Sequence, residues 1–93
     1  MELTQTDRLR LIWEEEDIKV PWLTERSRSS SSRWKNVRNG TVELRGTEVE
    51  DIGRLFPEYK LWLAYGEELP EAGQISPMTK RAHRDLKTSP QAG

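Results

Sequence analysis

The chain has 93 residues, of which 33% are hydrophobic and 33% charged, and its formal net charge is −1. This length suits one small domain, for which four tryptophans, two tyrosines and a phenylalanine supply large apolar areas. The absence of cysteine excludes disulfides and thiolate metal sites, and we expect neither a membrane span nor a secretory signal because no long apolar run is present. These features favour a cytoplasmic protein.

The first predicted helix starts near Thr4 or Thr6 and ends near Glu15, where an acidic run should fray against the negative end of the helix dipole. Its core-facing stripe consists of Leu9, Ile12 and Trp13. A short second helix is predicted from Pro21 to Arg26, since proline is tolerated at a first helical position. Its inward side chains, with one from the preceding turn, should be Ile18, Trp22 and Leu23.

The third predicted helix follows a serine-rich link and is short and polar. Ser30 can cap its start and Gly40 can end it in the left-handed conformation. Trp34 and Val37, three residues apart, should share its buried face. The alternative for the serine-rich residues 27–32 is a flexible linker.

The fourth and fifth predicted helices are separated by Pro57. Thr47 and Glu50 have the spacing of a capping box, and an apolar stripe follows, formed by Val49, Ile52, Leu55 and Phe56. The fifth helix runs from about Glu58 to Tyr65 and is apolar on two sides. One side holds Tyr59, Trp62 and Leu63, and the other holds Leu61 and Tyr65. The second side predicts a dimer interface through Leu61 and Tyr65, the alternative being a fully wrapped core helix.

The residues after the fifth helix are predicted to form a C-terminal extension, 70–93, on a domain of residues 1–69. One more short helix could begin at Ser76-Pro77, with Met78, Ala82 and Leu86 at i, i+4 and i+8. Residues 88–93 are expected to be disordered. No strand-like alternation persists along the chain, so the fold class is all-α with a tail that is partly helical.

Positive charge is concentrated in the middle of the chain. The net charge is −4 over residues 1–25, +5 over 26–45, −5 over 46–71 and +3 over 72–93, which sums to −1. A local basic patch can steer a polyanion even on a slightly acidic protein, although a solvated basic loop explains the same charges.

Three segments carry a resemblance to a known family: I-K-V-P-W-L-T-E-R-S, S-S-S-S-R-W-K-N-V-R-N-G and F-P-E-Y-K-L-W-L-A-Y-G-E-E-L-P-E-A-G-Q-I-S-P. They resemble the lambda-repressor-like (Cro/CI, Xre-type) helix-turn-helix proteins, and small prophage repressors in particular, including those of filamentous phages. The resemblance implies a five-helix DNA-binding domain whose recognition helix spans about Ser30 to Asn39. The chain departs from the pattern of that family at three positions. It has Thr24 where the pattern has alanine, Arg28 where the pattern has glycine, and Ser29 where the pattern has an aliphatic residue. A wider turn, or a helix that orders fully on DNA, would follow.

The resemblance also implies the DNA-contacting residues. Ser31, Ser32 and Asn36 match base-reading positions, and Ser30 matches a cap and phosphate contact. An amide can pair bidentately with adenine, which makes Asn36 the main candidate for direct base readout. The predicted phosphate contacts are the cations Arg28, Arg33, Lys35, Arg38 and Arg45.

Together these features predict a transcriptional regulator that binds double-stranded DNA sequence-specifically, namely a phage or prophage repressor. We expect it to bind an inverted-repeat operator as a homodimer and to be located with the nucleoid. An enzyme is not expected, since the single histidine lies in the extension and no nucleophile–base or metal spacing occurs. No cofactor or metal is expected. The alternative function is a protein-interaction adaptor or antirepressor on the same scaffold, and an antirepressor protein is a further partner to consider for the regulator.

Overall fold

The computed structural model describes residues 2–88, which form six α-helices and two single 3-10 turns. The helices are α1 (Gln5–Glu16), α2 (Val20–Arg26), α3 (Ser31–Asn39), α4 (Gly46–Leu55), α5 (Lys60–Tyr65) and α6 (Pro77–Thr88), and the turns are Pro57–Tyr59 and Pro70–Ala72. Within the described residues the only extended pairing is one isolated bridge between Leu69 and Gln74. The all-α class is therefore confirmed. Of the end predicted to be disordered, Thr88 is the last residue of α6, and residues 89–93 lie outside the described residues.

Helix α1 is capped at its start and continues through its acidic end. The Thr4 hydroxyl accepts a bond of 3.1 Å from the Asp7 N–H, and the Asp7 carboxylate accepts one of 3.0 Å from the Thr4 N–H. The expected fraying through the acidic run is wrong, because Glu15 and Glu16 pair with cations of α6. The helix ends at Asp17, whose φ of 50° is left-handed.

The N-cap of helix α4 lies two residues before Thr47, the first residue of the predicted capping box. Its N-cap is Arg45, whose N–H donates to the Glu48 carboxylate at 2.8 Å, so Glu48 replaces Glu50 as the acidic residue of the first turn. The Thr47–Glu50 pairing is therefore wrong. The physical reason is that Glu48 is fully buried beneath α3, where it also neutralises an arginine, whereas Glu50 faces solvent.

The core contains the apolar residues that the helical spacing predicted. Trp34 and Val37 are fully buried, and the centroid of the Trp34 ring lies 6.2 Å from that of the Trp13 ring on α1. Trp22, predicted to point inward, is half-buried and packs on Phe56. Val49, Leu55 and Phe56 of the predicted α4 stripe are only partly buried and pack against the edge of the core. The other predicted core positions are buried: Leu9, Ile12, Ile18, Leu23, Ile52, Tyr59, Trp62 and Leu63.

The segment after α5 folds back onto the helices. The Ile75 N–H donates to the Glu58 carbonyl at 2.9 Å, and Ser76 is buried. The helix predicted to begin near Pro77 is present and is twelve residues long. Lys80 fixes it to the body by pairing with Glu16 at 2.7 Å and with Glu58 at 3.1 Å.

The position of Trp34 leads to a stability prediction. Trp34→Ala should lower the free energy of unfolding by about 3 kcal/mol or more, because the change removes apolar burial and leaves a cavity. Urea denaturation followed by circular dichroism measures this. Trp22→Ala is the matched control and should cost less, since that side chain is half-buried. Equal urea concentrations at the midpoint of unfolding for Trp34→Ala and the wild type would contradict the assignment of Trp34 to the core.

Candidate nucleic-acid interface

The outer face of α3 carries four exposed polar side chains: Ser32, Lys35, Asn36 and Asn39. They lie at i, i+3, i+4 and i+7, which places them on one side of the helix, opposite Trp34 and Val37. Across residues 2–88, none of the four side chains makes a hydrogen bond or ion pair. This face therefore offers a hydroxyl, an ammonium and two amides to a ligand.

Two predicted contact residues at the start of α3 already have intramolecular partners. The Ser30 hydroxyl accepts a bond of 3.1 Å from the Arg33 N–H and so caps the helix as predicted. The Ser31 and Thr24 hydroxyls are 3.1 Å apart, which links α3 to α2 at the position where the family pattern has alanine. Ser30 remains exposed, whereas Ser31 is half-buried.

The last turn of α3 is fixed by several hydrogen bonds. Gly40 has a left-handed φ of 77°, and its N–H donates to the Val37 carbonyl at 3.0 Å. The Thr41 N–H donates to the Asn36 carbonyl at 3.1 Å, and the Arg10 side chain from α1 donates to the Arg38 carbonyl at 3.0 Å. Three of the four carbonyl groups that a helix end leaves free thereby have hydrogen-bond partners, and the outer face has a defined position.

Arg33 does not join the outer face, contrary to the prediction that it contacts phosphate from there. Its side chain is 16% exposed and turns inward to the fully buried carboxylate of Glu48, with N–O distances of 2.8 and 3.0 Å. It also donates to the Glu43 carbonyl. The sequence pattern could not show this, because Glu48 is fifteen positions away and resembles an ordinary surface acid of a helix.

The turn between α2 and α3 is held by a second buried carboxylate, that of Asp51. It accepts the Arg28 N–H at 2.9 Å and the Arg28 guanidinium at 3.0 Å, and Arg28 also pairs with Glu50 at 2.9 Å. Among the described non-glycine residues only Asp17 has a positive φ, so Arg28 carries no left-handed strain. Glycine is needed only where the backbone is left-handed, so its replacement by Arg28 costs no backbone strain in this turn.

Ser27 and Ser29 complete this turn. The Ser27 hydroxyl accepts the Trp34 indole N–H at 2.7 Å and donates to the Leu23 carbonyl at 2.7 Å. The Ser29 hydroxyl donates to Glu48 at 2.6 Å. The serine-rich link is thus a hydrogen-bonded turn, and the flexible-linker alternative is wrong because its hydroxyl groups have partners on three helices.

Both buried carboxylates are held in the charged form. Burial alone would raise the pKa of Glu48, but hydrogen bonds from Arg33, Ser29 and the Arg45 N–H outweigh it and hold the pKa below its ordinary value. Burial likewise opposes the charge of Asp51, whose pKa is nevertheless lowered by hydrogen bonds from Arg28 and Arg54. The interior therefore contains two paired negative charges directly behind α3.

Fewer cations are available to bind an external anion than the five phosphate contacts that the sequence predicts. Among the described residues, Lys35, Arg38 and Arg45 are exposed and make no ion pair. Arg28 is already paired, although 55% of its side chain stays exposed. Three of the five predicted phosphate contacts are thus exposed cations without an ion pair among the described residues, two of them on α3 and one at the start of α4.

The predicted dimer residues differ in exposure. Leu61 is half-buried, and its N–H donates to the Gln74 side chain at 2.9 Å. Tyr65, four residues on, is 74% exposed.

Residues 2–88 give no indication of a membrane span or a metal site. None of the helices described there is long and apolar enough to cross a bilayer. The same residues contain no cluster of three or more histidine or acidic side chains able to hold a metal ion.

Sequence reasoning missed three residues of this region. Asn39 was detectable, since it lies one helical turn beyond Lys35 and two turns beyond Ser32, on the same side of the helix. Glu48 and Asp51 carried a weaker signal: they lie three positions apart on a predicted helix, but nothing local marks an acid as buried.

A solved structure from a filamentous phage resembles this architecture over most of the chain. Pf6r from the filamentous phage Pf6 of Pseudomonas aeruginosa PA01 is 35% identical in sequence and superposes with a TM-score of 0.79. The alignment covers 91% of this chain and 99% of that one. The chain belongs to the same family as Pf6r. The similarity to a filamentous-phage protein is thereby confirmed, and it extends over the helices that build the α3 face.

No protein-family model and no curated protein matches the chain.

The lowered pKa values of Glu48 and Asp51 predict acid sensitivity. A carboxyl group whose pKa is depressed by folding stabilises the protein above its unfolded value, which is 4.5 for glutamate, and this contribution is lost as the pH falls through the folded value. We expect the free energy of unfolding to decrease steeply below about pH 4.5. Thermal unfolding at a series of pH values measures the dependence.

The variant Glu48→Gln isolates one carboxylate. It should cost about 3 kcal/mol at neutral pH, since it leaves the charge of Arg33 uncompensated, and it should flatten the acid dependence. Glu43→Gln, at an exposed position, is the control and should change neither the free energy of unfolding at neutral pH nor its dependence on acid pH. An unchanged acid slope in Glu48→Gln would show that the pairing contributes nothing to pH sensitivity.

Proposed function

We propose that the protein is a sequence-specific double-stranded DNA-binding transcriptional regulator, a phage or prophage repressor in which α2 and α3 act as a lambda-repressor-like helix-turn-helix. The observation that supports this most is the outer face of α3. Its four polar side chains have no internal partner, while the helix behind them is fixed by buried carboxylates and a capped end. Membership of the Pf6r family agrees with a role in a phage or prophage.

The dimensions of α3 suit the major groove. An α-helix with its side chains is about 10–12 Å in diameter, so a B-DNA major groove about 12 Å wide accepts one helix, and the nine residues of α3 extend along it for about 13 Å. In this arrangement Asn36 pairs with adenine N6 and N7, and Ser31 and Ser32 contact neighbouring base edges. Since serine discriminates weakly among bases, part of the specificity would come from DNA shape.

Phosphate contacts would come from the residues around this face. Lys35, Arg38 and Arg45 are exposed cations without ion pairs among residues 2–88, and the Asn39 amide and the Ser30 hydroxyl are polar groups at the two ends of α3. Arg28 can contribute through its exposed part. Arg33 is not included, because its charge is neutralised inside the protein.

We further propose a homodimer on an inverted-repeat operator, located with the nucleoid in the cytoplasm. One short helix gives little surface for a specific complex, so two copies are needed. Two-fold symmetry would place the half-site centres roughly 10 bp apart. An antirepressor protein is a further partner that could occupy the same face.

The competing function is that of a protein-interaction adaptor or antirepressor. It is favoured by the low charge of the outer face, where Lys35 is the single cation among four side chains. Electrophoretic mobility shifts with fragments of the surrounding genome at two salt concentrations separate the two functions. A regulator should bind one fragment with a steep salt dependence, whereas an adaptor should bind none.

Two substitutions on α3 test direct readout. Asn36→Ala should weaken operator binding by about 1–3 kcal/mol and relax one base position while leaving the salt slope unchanged. Lys35→Ala should weaken binding to operator and random DNA alike and reduce the salt slope by about one. Titrations at several salt concentrations measure both. Equal losses on operator and random DNA for Asn36→Ala would remove it from base readout.

A further inference from the structure

The two flanks of α3 differ in charge. Lys35 and Arg38 are separated by about 60° around the helix axis, so both occupy one flank beside the outer face. Arg33 lies about 160° from Lys35, on the other flank, and its charge is neutralised by the buried Glu48. The cations of α3 that make no ion pair are therefore confined to the flank of Lys35 and Arg38.

The row of cations on this flank continues onto α1 through Arg10. The Nε of Arg10 donates to the Arg38 carbonyl at 3.0 Å, which fixes the guanidinium at the end of α3. A Cβ atom on Gly40 would lie 3.2 Å from Nη1 of Arg10, so the guanidinium covers that end directly. Arg10 and Arg38 also line the same cleft between α1 and α3. The row consists of Lys35, Arg38 and Arg10, and we call it the basic edge.

Most of the Arg10 guanidinium is not engaged by the protein. Nε makes the only hydrogen bond of this side chain within residues 2–88, and the two terminal nitrogens carry four further N–H groups. The residue is exposed, so a ligand can approach it. One guanidinium can therefore hold the end of α3 through Nε and bind an anion through its terminal nitrogens.

Two acids of α1 lie near Arg10 without pairing with it. The Asp7 carboxylate accepts the Thr4 N–H at 3.0 Å, and the pKa of Asp7 is lowered chiefly by Thr4 and to a smaller extent by Arg10. Glu14 is exposed and lies one turn beyond Arg10. Among the described residues, neither acid forms an ion pair with Arg10 or Arg38. The charge of Arg10 is thus available to an external anion.

We propose that Arg10 binds a phosphate group of double-stranded DNA, next to the phosphates that Lys35 and Arg38 contact. A helix in the major groove has a phosphodiester strand on each side. The strand on the side of the basic edge meets Lys35 and Arg38 on α3, and beyond the end of α3 it meets Arg10 on α1. Arg10 thereby adds a contact from outside the helix-turn-helix to the proposed function, on which its role rests.

The shape of the basic edge favours a polyanion over a single small anion. A DNA strand presents one phosphate about every 3.4 Å along the duplex axis, so successive side chains of the edge can each reach one. A single small anion would leave part of the row unpaired. The fork of a guanidinium also matches two phosphate oxygens, which suits Arg38 and Arg10 in particular.

The salt dependence of binding to a mixed-sequence duplex tests the contact, because each phosphate contact contributes about 0.9 to the slope of log K against log salt. Arg10→Gln should reduce this slope by about one. Arg10→Lys keeps the charge and should retain the wild-type slope. Lys60→Gln removes an exposed cation from α5 and is the matched control, with an unchanged slope. Fluorescence anisotropy of a labelled duplex at several salt concentrations measures all four proteins.

Thermal unfolding of the same variants separates phosphate binding from a role confined to the end of α3. If Arg10 only holds that helix end, Arg10→Gln lowers the melting temperature and keeps the wild-type slope, which would overturn the phosphate contact. Equal slope losses in Arg10→Gln and Lys60→Gln would overturn it as well, since they would reflect net charge alone.

A measurement on the unsubstituted protein covers the case in which Arg10→Gln does not fold. Phenylglyoxal modifies accessible guanidinium groups, and mass spectrometry of the peptides locates each modified arginine. The mixed-sequence duplex should slow the modification of Arg10 severalfold and leave that of Arg81 on α6, whose side chain is 59% exposed, unchanged. An Arg10 that reacts equally fast with and without the duplex would refute the contact.

The mixed-sequence duplex contains no operator, so the outcomes for Arg10 and for the regulator can be told apart. A wild type that binds no duplex at all refutes both. A wild type that binds this duplex through Arg10 but prefers no genomic fragment retains the contact and refutes the sequence-specific regulator. Binding of one genomic fragment, with an unchanged slope in Arg10→Gln, retains the regulator and refutes the contact.

Discussion

A single buried carboxylate, that of Glu48, determines where the α3 face lies. It accepts hydrogen bonds from Arg33 on α3, from Ser29 in the preceding turn and from the N–H of Arg45 at the start of its own helix. Three segments that are distant in sequence thus share one negative charge in the interior. Removing such a charge is costly because its partners are left buried and unpaired, which is why the position of α3 depends on it.

Asp51, one turn along the same helix, performs the corresponding task for the turn between α2 and α3. Where the lambda-repressor-like pattern that the sequence resembles has glycine, this chain has Arg28, whose N–H and guanidinium both bind Asp51. The turn is therefore stabilised by a side chain from α4 in place of an intrinsically flexible backbone position. Two acids at i and i+3 explain how a turn rich in serine and arginine can be ordered without glycine or an aliphatic anchor.

The same pairs change what the basic segment can do. The net charge of +5 over residues 26–45 suggests a strongly basic surface, but the charges of Arg28 and Arg33 are matched by α4. What remains on the outer face of α3 is mostly hydroxyl and amide, with cations near its end. Such a surface favours recognition of specific hydrogen-bonding groups over general attraction to a polyanion, in keeping with the regulator proposed above.

The sequence by itself determined the helices and the core, because these depend on local spacing. Trp34 and Val37 at i and i+3, the Ser30 cap and the terminal Gly40 predicted α3 correctly, and they made the exposure of Lys35 and Asn36 deducible. Tertiary structure alone decided which charges are available. Whether Arg33 points outward or inward depends on a carboxylate fifteen residues away, and whether Arg28 strains its turn depends on one twenty-three residues away. Helical periodicity places a side chain on a face, but only the packing of another helix against that face determines whether its charge is neutralised.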